Sequence, residues 1–147
     1  MIISALLLFF ITACGGVVMT PPTAVVAAEK TRFVDLDIDE IMMLAAAMEL
    51  ENGCNSDLCL IYTGSVILNR LQSPEWPDTI YGVLHQKGQY AEWTLRHLDT
   101  VKVSERTLSI ALKLVMCGSM DKQIVFQSMQ PHLGHVKYVV DGEYFAY

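Results

Sequence analysis

Basic residues are scarce in this 147-residue chain: ten Lys and Arg stand against sixteen Asp and Glu, for a net charge of −6. Nucleic acid is excluded as a partner, because there is no basic patch to neutralise phosphates. Charge steering toward an anionic polymer is excluded too, so a polymeric substrate has to be gripped by hydrogen bonds and stacking. The common catalytic signatures are missing: there is no G-x-S-x-G elbow, no glycine-rich phosphate loop and no H-E-x-x-H. Cysteine is sparse, at four residues. His132 and His135 are read as polar loop residues, and neither a metal nor a cofactor is expected. Internal repeats are lacking. What is abundant is apolar: 52% of the residues, enough for a real core in one domain of about 115 residues.

The N-terminus reads as a targeting segment. Residues 1–13, MIISALLLFFITA, form an apolar run of signal-peptide length, too short alone for the ~20 residues that span a bilayer. Ile11-Thr12-Ala13-Cys14 looks like a bacterial lipobox, in which Cys14 is lipidated and becomes the membrane anchor. Cleavage after Val26-Ala27-Ala28 and an uncleaved anchor reaching to about Met19 are the other readings. No Lys or Arg occupies the n-region, which counts against both cleaved forms. All three place the domain outside the cytoplasm. Segment 1–19 is then the leader or anchor, 20–34 a Pro-containing tether, and 35–147 the folded domain.

An extracytoplasmic setting favours disulfides over free thiols. Cys54 and Cys59 are expected to close a short loop between two helices. Cys117 is expected to be a small buried apolar residue.

Within the domain, Asp37 or Asp39 caps a first helix over about residues 40–51, apolar on nearly all sides and therefore central. Ser56 or Asp57 caps the next, over about 58–72, with Leu60, Gly64, Ile67, Leu68 and Leu71 on one face. Pro74 ends it, and Ser73 to Pro77 form a rigid corner with Trp76 over the core. Asp78 or Thr79 starts a short helix reaching His85, and Gly88 terminates it. Residues 89–94 are a loop and 95–103 are ambiguous. Ser104 caps an amphipathic helix that Gly118 stops. The period then becomes strand-like, over 123–128 and over 135–140 and 143–147, the last two joined by Asp141-Gly142, the best hairpin signal in the chain. Four helices followed by a small sheet make an α+β domain of unstated oligomeric state.

One residue in the first helix needs a reason. Glu49 is a carboxylate in an apolar segment, and burying an unpaired charge is expensive. Either it emerges toward solvent or a basic partner such as Arg70, or it is a general acid whose pKa is raised above the usual ~4.3 by its surroundings. Glycosidic cleavage normally uses two carboxylates. Glu51, two residues on, lies about 200° round the helix and is set aside because it cannot share a cleft with Glu49. Asp57 and Asp78 are not favoured by spacing. One acid suffices where the substrate brings its own nucleophile, as when the C6 hydroxyl of N-acetylmuramic acid attacks its own C1.

The block from Val66 onward carries a resemblance. Val66-Ile67-Leu68-Asn69-Arg70, Ser73-Pro74, Trp76-Pro77, Thr79-Ile80, Gly82-Val83 and Gln86-Lys87-Gly88-Gln89-Tyr90, preceded by Met48-Glu49-Leu50, resemble the SleB/CwlJ-type cell wall hydrolases. Val125-Phe126-Gln127 and Gly142-Glu143-Tyr144-Phe145 are weakly similar to that family's C-terminal sheet. The resemblance implies a lysozyme-like α+β fold and cleavage of peptidoglycan glycan strands, as a lytic transglycosylase or a hydrolase. It implies Glu49 as acid/base, with Gln89, Tyr90 and Gln127 lining the groove. Asn69 and Arg70 are read as helix-end residues that pin the Ser73-Pro74 corner. Met48 and Leu50 stand where the family usually has alanines, and Tyr144 stands where many members carry a His. A non-catalytic wall-binding or germination accessory lipoprotein and an amidase are the alternatives.

Overall fold

The computed structural model describes residues 36–131 and 134–147. Cys14, the leader and the tether lie outside the described residues, as does His132. Five helices precede three strands: α1 (Ile38–Asn52), α2 (Asp57–Gln72), α3 (Ile80–Leu84), α4 (Glu92–His97), α5 (Glu105–Cys117), β1 (Phe126–Ser128), β2 (Val136–Val140) and β3 (Glu143–Ala146). The class is α+β, as expected. The ambiguous stretch resolves into α4 and the turn after it.

Side-chain caps start four of the helices. Asp37 accepts from the Glu40 amide, Ser56 from Cys59, Thr79 from Gly82 and Ser104 from Thr107. Each satisfies one backbone N–H that the first helical turn leaves without a partner. Gly118, at φ 87°, follows α5 in a conformation that only glycine takes easily. Asp141 (φ 53°) and Gly142 (φ 87°) make the tight turn between β2 and β3, the left-handed pair that a two-residue hairpin requires. β3 is the middle strand, antiparallel to both neighbours, with Gln127 opposite Phe145 and Val140 opposite Glu143.

The core has two halves, and α2 separates them. Leu60, Ile67, Leu68 and Leu71 meet Leu44 to Met48 of α1 and Ile110, Ala111 and Leu114 of α5. On its other side, Cys59, Tyr62 and Val66 meet Ile124 and Phe145 beneath the sheet. Tyr62 stacks on Tyr138 with centroids 4.7 Å apart and tilts against Phe145 at 5.2 Å. Such aromatic pairs add about 0.5–1.5 kcal/mol each beyond the area they bury. The single apolar face expected for α2 is therefore too narrow. The helix is buried nearly all round, and it shares the central place given to α1.

Polar residues on α2 fasten the loops instead of facing water. Asn69 Nδ2 donates to the carbonyls of Asp121 and Ile124, both at 2.7 Å. Arg70 Nε donates to the Val125 carbonyl at 2.7 Å. These two residues thus pin the chain entering β1, not the Ser73-Pro74 corner. Trp76 does lie over this region, but on Arg70: the guanidinium sits 4.4 Å from its ring centre.

The cysteines differ from expectation. Cys54, Cys59 and Cys117 are free thiols. Asn55 stands between Cys54 and Cys59, its Nδ2 donating to Cys59 Sγ at 3.7 Å. Cys59 is buried and Cys54 exposed, and burial pushes the Cys59 thiol up to about 11. Cys117 is exposed at the end of α5. Among the described residues no helix is long and apolar enough to cross a membrane.

Candidate active site

The last turn of α1 sends its two glutamates to opposite places. Glu49 turns toward α5, where its Oε2 accepts from the Ser104 amide at 3.2 Å and the Ser104 hydroxyl at 2.8 Å. Burial alone would push this carboxyl up. Hydrogen bonds from Thr107 and Ser104, with Arg106 nearby, pull it below its usual value instead. The expectation of an acid held protonated by apolar surroundings is corrected for Glu49. Its basic neighbour is also Arg106, not Arg70. A carboxylate at a helix N-terminus meets free N–H groups and the positive end of the helix dipole, so the ionised form is favoured there. Gly53 permits this placement: a Cβ on it would come within 2.6 Å of Glu49 Oε1.

Glu51 turns the other way, into a cavity of about 170 Å³ that opens to solvent. Val66 and Arg70 of α2, Gln89 and Tyr90 of the loop before α4, Gln127 and Ser128 of β1, Met129 and Glu143 of β3 line it with Glu51. The 200° separation reasoned for the helix therefore holds, but the residue facing the groove is the one set aside. Gln89, Tyr90 and Gln127 come together as expected, around Glu51 and not around Glu49. Asp57 is elsewhere, paired with Arg106 at 2.6 Å. Asp78 is exposed and does not line the cavity.

The chemistry of the groove follows from its burial. Burial pushes the Glu51 carboxyl above its ordinary value. A hydrogen bond from the buried Thr94 hydroxyl opposes this, and the nearby Glu143 carboxylate adds to it. Glu51 Oε1 is buried and has no hydrogen-bond partner in the protein. A carboxyl whose protonated form is favoured by burial, next to open space, is placed to give its proton to a bound group. Tyr90, pushed up to about 12 mainly by burial, stays a neutral phenol. The Arg70 guanidinium lies 5.9 Å from the Tyr90 ring centre and stiffens that wall. Amide and aromatic groups of this kind suit N-acetylated sugars, which offer amides to bond and apolar ring faces to stack.

Three functional candidates escaped the sequence. Glu51 stands close to the Asn52-Gly53 end of α1, where a side chain meets other loops, and that position is its signal in the sequence. Glu143 carried a signal in its alternation with the inward-facing Phe145. Thr94 lay in a stretch read as loop. Among the described residues no group of three His, Cys, Asp or Glu side chains gathers as a metal site would require.

Residues 58–130 match the family described as Cell Wall Hydrolase, a segment running from the start of α2 past β1. The catalytic domain of the germination-specific lytic transglycosylase SleB from Bacillus anthracis has a similar fold, with a TM-score of 0.63 at 17% identity over 76% of this chain and 97% of that one. The catalytic domain of the Bacillus cereus SleB protein gives 0.65 at 16% identity, over 76% and 91%. No curated protein sequence matches the chain. The α+β arrangement is the lysozyme-like one of these domains, the residues matched are those that build the middle of the groove, and the chain belongs to the SleB/CwlJ-type cell wall hydrolase family.

Proposed function

We propose that this protein cleaves the glycan strands of peptidoglycan between N-acetylmuramic acid and N-acetylglucosamine, as a lytic transglycosylase with Glu51 as the general acid. The observation that carries this reading is the Glu51 carboxyl, pushed up by burial and bordered by Gln89, Tyr90 and Gln127 in one open groove. Glu51 protonates the glycosidic oxygen as the bond to C1 breaks, which develops positive charge on the sugar ring. The C6 hydroxyl of the muramic residue attacks C1 and closes a 1,6-anhydro ring. Water attacking in its place gives the hydrolytic product.

Such a substrate lies in the cell envelope, so the domain acts outside the cytoplasm. Lipidation of Cys14 would hold it at the membrane within reach of the wall.

Digestion of purified sacculi followed by mass spectrometry tests the reading. Anhydro-muropeptides are expected from the wild type and from Glu49→Gln, and none from Glu51→Gln. Persistence of the products in Glu51→Gln would overturn the assignment of the acid. Sacculus binding without soluble products from the wild type would replace catalysis with a wall-binding role, and release of free peptide stems would point to amide cleavage.

A further inference from the structure

Glu143 is the other acidic side chain lining the groove. It stands two residues before Phe145, so strand alternation puts both on one face of β3. That face closes over α2, and Phe145 is fully buried there against Tyr62 and Val66. Glu143 itself is half-buried, at the wall of the groove. None of the described ion pairs involves it. Arg70, the cation in the groove, is already held by the Val125 carbonyl and the Trp76 ring.

Its position is also fixed from behind. Asp141 Oδ2 accepts from the Ser56 amide at 2.8 Å, which ties the hairpin tip to the first turn of α2. Val140 opposes Glu143 across the hairpin, and Glu143 follows that anchor by two residues. The end of α1, which carries Glu51, and the hairpin that carries Glu143 are thus joined through the α1–α2 turn. The two carboxyls enter the same cavity from fixed elements.

We infer that Glu143 is the catalytic base of the groove, taking the proton of the attacking hydroxyl while Glu51 gives its own to the leaving oxygen. The inference rests on the glycan cleavage proposed above. In the step, the bond from C1 to the leaving O4 breaks and O4 gains the Glu51 proton. The bond from O6 to C1 forms, and the O6 proton passes to Glu143. The pair starts and ends with one proton, and exchange with water restores it to Glu51. Like charges disfavour each other, so burial and the Glu143 carboxylate both push the Glu51 carboxyl up. Facing the pair are Thr94 of α4, Tyr90 of the preceding loop and Arg70 of α2. Cys59 and Asp141 lie behind Glu143.

The test measures sacculus digestion against pH for the wild type, Glu143→Gln, Glu143→Ala and Glu51→Ala, with folding checked by circular dichroism. A loss of about 10²–10⁴-fold is expected for Glu143→Gln, the range of a general base. Its acidic limb should vanish, and its basic limb, set by Glu51, should move to lower pH. Added formate should restore turnover to Glu143→Ala and not to Glu51→Ala. Activity of Glu143→Gln within about tenfold of the wild type, an acidic limb that stays, or a folded Glu143→Ala that formate does not restore would each overturn the role. A wild type that yields no glycan product would instead overturn the proposed function itself, and the base with it.

Discussion

One oxygen of Glu49 accepts both the amide and the hydroxyl of Ser104, at 3.2 and 2.8 Å, across 55 residues of chain. The carboxylate therefore belongs to the start of α5, where Ser104 already caps the Thr107 amide. Glu49 is a second cap that joins α1 to α5.

Glu49→Gln should accordingly leave glycan cleavage intact and lower stability by about 1 kcal/mol, the usual cost of a lost cap. The sign with pH follows from a folded-state pKa below the unfolded one. The ionised cap stabilises above the unfolded carboxylate range and loses that contribution as pH falls through the lowered folded value. Thermal melting of the wild type and Glu49→Gln should converge in acid. A gap that stays constant with pH would contradict the charge-dependent cap.

Glu51 has the opposite sign. Its folded carboxyl is pushed up, so the unfolded chain releases its proton first as pH rises, and stability falls through that interval. Glu51→Gln should remove this penalty, melting at or above the wild type at neutral pH while losing activity. A variant both less stable and still active would contradict the placement in the groove.

Asn69 holds two carbonyls of the segment before β1 from a buried position. Asn69→Ala leaves both without a donor and should cost about 2 kcal/mol in urea denaturation. The effect should centre on the sheet, with hydrogen-exchange protection falling first in β1 and its neighbour β3. Loss confined to the Ser73-Pro74 corner would restore the simpler helix-end role.

Gly64 sits where α2 meets both helical neighbours. A Cβ there would lie 2.5 Å from Leu114 Cδ1 and 2.9 Å from Met48 Sδ. Both are ends of flexible side chains, so Gly64→Ala should fold and lose about 1–3 kcal/mol by overpacking. Equal or greater stability would mean that α5 moves away without cost.

Sequence and tertiary structure divided this protein along physical lines. Local rules were legible in the chain: the caps, narrowed to Asp37 or Asp39, Ser56 or Asp57, Asp78 or Thr79, and Ser104, the Asp141-Gly142 turn and the apolar run from Leu44 to Met48 each rest on contacts within a few residues. The block from Val66 to Tyr90 also carried the family, and its Val66, Arg70, Gln89 and Tyr90 line the groove. Helix geometry even stated that Glu49 and Glu51 point apart. Which of them meets the groove was not local information. Ser104 claims Glu49 from 55 residues away, while Thr94 and Glu143 surround Glu51 from α4 and the far hairpin. An acid's strength depends on what surrounds it, and only the folded chain brings those neighbours together.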